Sequence, residues 1–167
     1  MLGRIILEAI GYSLVYTAFM LVLFRAQGTK KQLYNYPPAI QERAIQQGIT
    51  TQAEMDAMAK KNKLLGIFMM VVPCIIITCF INGEQSFRAG LIESYIFLNA
   101  FSLFDALVID TLWFCHGKWW VIPGTEDMTE AYHDYAFHWK WFFLGLLSTL
   151  PLAAVIGGIV VLVGKIM

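Results

Sequence analysis

The chain has 167 residues, of which 58% are hydrophobic and only 14% charged, against about 25% charged in ordinary soluble domains. Its 12 basic and 12 acidic side chains cancel, which excludes a nucleic-acid partner, since that requires a basic excess. The length suits one domain, 1–167, and the apolar residues gather into four blocks long enough to cross a hydrocarbon layer of roughly 30 Å.

The expected fold is therefore an all-α integral membrane protein, a bundle of four transmembrane helices. Its first helix is Ile5–Phe24. Arg25-Ala26-Gln27-Gly28 behind it lacks the small-x-small pattern of signal-peptide cleavage, and Glu8 is unusual in a disposable secretory segment, so this block is expected to be retained. Arg4, Glu8, Tyr12 and Tyr16 recur at spacing four and share a face, with Arg4 and Glu8 read as an i,i+4 ion pair near the outer rim.

The polar stretch 26–62 carries its own punctuation. Pro37-Pro38 sets an extended entry and a helix start, Ala39–Gln47 reads as helix, and Gly48 is placed to end it. Thr51 with Glu54 forms a capping box, opening a helix that runs through Lys61 into the second apolar block, Lys63–Ile81. The stretch is thus an amphipathic helical hairpin, expected to lie on the membrane. Its segment Gln47-Gly48-Ile49-Thr50-Thr51, with Glu54 and Lys60-Lys61, resembles the short bacterial oligomerisation hairpin called SHOCT. That resemblance covers about 20 residues, includes no catalytic position, and implies association with further copies of the chain, a homo-oligomer.

In the second block Cys74, Thr78 and Asn82 share a register. Cys74 and Cys79 point about 140° apart on a straight helix and no CxxC pair exists, so the three cysteines, Cys115 included, read as packing residues. The third block, Leu91–Phe114, is the most polar. Asn99, Ser102, Asp105 and Asp110 cover an arc of about 140°, with Asp105 and Asp110 at its two edges. An ionisable group in hydrocarbon costs several kcal/mol unless paired or solvated, so Asp105 and Asp110 are read as functional, and Thr78, Asn82 and Ser102 as interhelical hydrogen-bonding groups.

All three histidines fall between the third block and the fourth, Trp141–Val163. Pro123-Gly124 forces a turn, after which Thr125 is expected to cap a short helix with an acidic first turn, Glu126 and Asp127, leading into the fourth block. On that helix Glu126, Glu130 and His133 share one face, and Asp127, Asp134 and His138 another. Glu130-x-x-His133 has the spacing of carboxylate-bridged metal bundles, so Glu130, His133 and His138 are the candidate ligands of a divalent metal. Two other readings stay open. One is metal-free acid–base chemistry by Asp105, Asp110, His116, His133 and His138, with both aspartates approaching the histidines; the other is an interfacial aromatic belt, of Trp119, Trp120, Tyr132, Tyr135, Trp139 and Trp141, that merely includes the histidines. Gly157-Gly158 and Gly164 read as sites of close helix packing.

Orientation follows from the basic residues. Arg25, Lys30, Lys31, Arg43, Lys60, Lys61, Lys63, Lys118 and Lys140 lie on one side, which makes loops 25–62 and 116–140 cytoplasmic and both termini external; Arg4, Arg88 and Lys165 remain opposite. No Gly-rich dinucleotide loop, Walker A motif, GxSxG elbow or deep histidine pair for haem is present. Three functions fit: a membrane-embedded enzyme acting on a lipid or amphipathic substrate; a small oligomeric transporter or channel lined by Glu8, Asn99, Asp105 and Asp110; and an accessory subunit docking a partner through the hairpin. In each, the lipid bilayer is the chain's surroundings.

Overall fold

The computed structural model describes residues 2–166, which form helices and connecting turns with no strand among the described residues. The order is α1 (Leu2–Gln27), a 3-10 turn (Thr29–Asn35), α2 (Pro38–Gln46), α3 (Gln52–Ile76), α4 (Phe87–Phe104), a 3-10 turn (Lys118–Trp120), α5 (Thr129–Tyr132) and α6 (Tyr135–Ile166). Two of these continue in wider winding: α3 into a π turn, Ile77–Ile81, and α4 into a π-helix, Asp105–Phe114.

Local chemistry explains the hairpin. Pro38 opens α2 at a position whose N–H would have no helical partner. Gly48, at φ 68°, ends it: the Gly48 N–H donates to Ile45 O and the Ile49 N–H to Ala44 O, both at 2.9 Å, the paired bonds of a Schellman stop. Thr51 and Glu54 then cap α3 reciprocally, Glu54 N–H to Thr51 Oγ1 at 3.3 Å and Thr51 N–H to Glu54 Oε2 at 3.1 Å. From there α3 passes unbroken into the second apolar block.

Four segments are long and apolar enough to cross a membrane: Leu2–Ala26, Gln52–Ile81, Phe87–Phe114 and Thr129–Ile166. Ser86 caps α4 by accepting from the Ala89 N–H, and α4 then packs most extensively on α6, next on α1, and more lightly on α3. Ile5, Ala9, Cys74, Leu98, Ile156 and Val160 are buried where these helices meet. Backbones come close at one crossing, where a Cβ on Gly157 would stand 3.0 Å from Phe87 O and 3.1 Å from Leu91 N. The outward flanks carry exposed Leu7, Val22, Leu64 and Leu147, side chains that favour an apolar surrounding over water.

A second core closes the other end. Leu33, Tyr36, Ile40, Ala44 and Met55 from the hairpin are buried against Phe114, Cys115, Trp120, Ile122 and Tyr132. The Tyr36 hydroxyl donates to Trp120 O at 2.9 Å and Gln47 Nε2 to Gly124 O at 2.7 Å. The hairpin is therefore not a separate strip lying flat: it and residues 115–134 form one cap, because its apolar face finds a matching aromatic face within the chain.

The helix expected from Thr125 onward is also corrected. Thr125 is buried, donates to Ile122 O at 2.8 Å and shares a 2.7 Å hydrogen bond with the Tyr132 hydroxyl, so it locks a turn instead of capping a helix. Only the short α5 forms, the chain breaks at His133-Asp134, and Asp134 Oδ1 accepts from the Phe137 N–H at 3.0 Å to start α6.

The Gly157 crossing yields a paired test. Leucine at Gly157 should lower the stability of the detergent-solubilised protein by about 1–3 kcal/mol, since the α4 backbone cannot move aside. Gly158→Leu, where a Cβ meets nothing within 4 Å, should change the thermal midpoint little.

Candidate functional site

The site begins with a change of winding. Over Asp105–Phe114 the chain bonds i→i+5: the Cys115 N–H donates to Asp110 O at 3.0 Å, and Thr111 Oγ1 reaches Ala106 O at 2.7 Å. On an α-helix five residues leave side chains about 140° apart, whereas i→i+5 closure stacks them on one side, one turn above the other. Asp105 and Asp110 consequently line a single cavity of about 500 Å³. The expectation that they occupy opposite edges of a polar arc is overturned by this register.

The cavity lies at the capped end, between α1 (Tyr16, Met20, Phe24), Tyr34 of the 3-10 turn, the π-helix (Asp105, Ile109, Asp110) and α6 (Phe137, His138, Trp141), under Tyr36 and Trp120. Asp110 Oδ2 stands 3.2 Å from His138 Nδ1. The His138 side chain is only 5% exposed, held edge-on between Phe114 and Phe137 at ring-centroid distances of 5.1 and 5.2 Å. Its second nitrogen, Nε2, is buried with no partner among the described residues. Asp105, one turn further from the cap, makes no hydrogen bond or ion pair among the described residues.

His116 and His133 lie elsewhere. Their ring centroids are 5.0 Å apart, and His116 Nε2 is 3.1 Å from the Tyr135 hydroxyl. With Cys115, Lys118 and Glu126 they line a second cavity of about 460 Å³, whose only lining residue in common with the first is Phe114. The five residues expected as one catalytic set are thus divided: Asp105, Asp110 and His138 together, His116 and His133 apart.

The metal assignment is corrected on donor geometry. Among the described residues no group of three or more His, Cys, Asp or Glu side chains is arranged to hold a metal ion. Glu130 is exposed, His133 stands at the break between α5 and α6, and His138 is turned into the bundle toward Asp110. The spacing 130–133 carries no shared site because the helix it assumed ends at Tyr132.

No family model, curated protein or solved structure matches the chain. The resemblance of residues 47–61 to the SHOCT hairpin is therefore unsupported, and those residues serve the cap, with Thr50 and Met55 buried in it.

The opposite end holds a network of which the Arg4–Glu8 pair is one part. Arg4 Nη2 is 2.7 Å from Glu93 Oε1 and its Nε 3.6 Å from Glu8, while Asn82 Nδ2 donates to Glu8 at 3.1 Å and to Glu93 at 3.0 Å. Arg4–Glu8 is thus one edge of an interhelical cluster, centred on Glu93, which is 1% exposed. The overlooked signal was an acidic residue just inside an apolar block, a position that demands a cation. Between the two ends Tyr12, Tyr16, Phe97 and Phe101 pack with ring centroids 5.0 to 6.1 Å apart, and Asn99 is engaged by Thr149 and Tyr95.

Charge near the cap is tuned by burial and backbone. Burial, with added repulsion from Asp110 and Asp134, pushes the Cys115 thiol up to about 11, and the Gly124 N–H at 2.8 Å holds exposed Glu126 below the usual carboxylate range. All three cysteines are free and buried. A raised thiol stays neutral until the pH nears 11, leaving about one part in 10,000 as thiolate at pH 7. Maleimide at pH 7 should leave the folded protein unlabelled and modify three cysteines after denaturation in SDS, as read by mass spectrometry.

Proposed function

We propose that the chain is a membrane-embedded enzyme acting on a lipid or other amphipathic substrate by acid–base chemistry. The observation that carries this reading is the Asp110–His138 pair on the wall of the 500 Å³ cavity, with His138 Nε2 left unpartnered. A cavity of this size is typical of small-molecule sites, and a buried nitrogen without a partner is satisfied when a bound group supplies one. With Nδ1 donating to Asp110, Nε2 of His138 is left as the nitrogen that a bound group can engage. A proton leaving the substrate moves to Nε2, the Asp110 carboxylate stabilises the resulting imidazolium, and the same proton returns to the product.

Four membrane-length helices with apolar outer flanks support insertion in a bilayer, which would bring an amphipathic substrate to the cavity by lateral diffusion. The nine basic residues around the cap support a cytoplasmic cap with both termini outside. A conducting pathway is disfavoured by the aromatic packing of Tyr12, Tyr16, Phe97 and Phe101 between the two polar ends.

Two measurements test this. Membrane extracts from bacteria expressing the chain should contain an amphiphile whose amount changes at least tenfold relative to empty vector. Asp110→Asn and His138→Gln should slow its turnover by on the order of 10²–10⁴-fold and restore the vector profile; identical profiles for all strains would sink the enzyme reading. For orientation, a cysteine at exposed Gln46 or Thr129 should resist an impermeant maleimide in intact cells and react after lysis. Labelling of intact cells reverses the topology.

A further inference from the structure

We infer that the substrate of this cavity is a cationic amphiphile, an organic ammonium whose head group is anchored by Asp105 and boxed by aromatic rings. This rests on the acid–base reading of the same cavity and names its substrate class. The lining residues include two carboxylates, Asp105 and Asp110, and no Lys or Arg. Asp110 is engaged with His138, whereas Asp105 makes no hydrogen bond or ion pair among the described residues, so Asp105 is the carboxyl group left for a ligand. The i→i+5 stacking also sets the two carboxylates on one side of the helix, where a cation between them relieves their repulsion.

The rest of the wall selects the kind of cation. Tyr16, Phe24, Phe114, Trp120, Phe137 and Trp141 all face this space. Phe24 meets Trp120 edge-on at 5.4 Å and Phe137 meets Trp141 edge-on at 6.4 Å, so the cavity that holds the carboxylates is also lined by two aromatic pairs. Ring faces attract a weakly hydrated organic cation through their quadrupole. A small inorganic cation instead needs several oxygen ligands, and among the described residues no group of three or more His, Cys, Asp or Glu side chains is arranged to hold one. The apolar flanks of Met20 and Ile109 suit the first carbons of a chain attached to the ammonium.

The test uses the full chain in dodecyl maltoside, with benzyltrimethylammonium as probe and benzyl alcohol and benzoate as neutral and anionic counterparts. Saturating benzyltrimethylammonium should raise the thermal midpoint by about 5 °C and bind at least tenfold more tightly than either counterpart. Asp105→Asn should weaken the ammonium at least tenfold. Trp141→Leu, which leaves both carboxylates in place, should weaken it about fivefold and decides the matter if the Asp105 variant does not fold. Equal affinity for all three probes, unchanged in these variants, overturns the ammonium assignment while leaving an amphiphile site in place. Absence of binding by any probe overturns it too, and the membrane-extract profiles then judge the enzyme reading separately.

Discussion

Residues 105–114 exchange i→i+4 hydrogen bonds for i→i+5 bonds, and the candidate site depends on that exchange. The wider winding is rare and is found frequently at functional sites. Here its return is positional: it turns Asp110 toward His138 on α6 while keeping Asp105 on the same wall. An unbroken α-helix would send one of the two carboxylates to a different neighbour, and an aspartate without a partner in an apolar bundle is the costly outcome.

The two ends of the bundle solve the same problem of buried charge in opposite ways. At the termini, Arg4, Asn82, Glu8 and Glu93 satisfy one another directly, leaving a closed network suited to holding three helices in register. At the capped end Asp110 and His138 pair beside a cavity that Asp105 also lines, without a hydrogen bond or ion pair of its own among the described residues. Closed networks stabilise a fold, whereas incompletely satisfied ones beside a cavity are where ligands gain their selectivity.

Much of the fold was legible in the residues, for identifiable reasons. The helical blocks, the capping box at Thr51 and Glu54, and the stop at Gly48 depend on local chemistry that three to six residues specify by themselves. What was not legible depended on partners far along the chain. Thr125 looks like a helix cap until Tyr132 folds back onto it, and Arg4–Glu8 looks like an isolated pair at the rim until Glu93 joins it. The π winding left no mark in composition, so the helical wheel misplaced Asp105 relative to Asp110 while identifying both as unusual. His116 and His133 were grouped with His138 by nearness in sequence, yet the break at His133-Asp134 sends the first two to a separate face.

The unbroken run of α3 through its π turn has a mechanical meaning. Met55 near its start is buried in the cap core, and Cys74 and Cys79 near its end are buried in the core beside the termini, so one strut is anchored in both. The cap cannot rock or lift as a hinged lid without levering that strut against the far core. A strut held at both ends couples the cap to the helices, so unfolding of the one is expected to draw in the other.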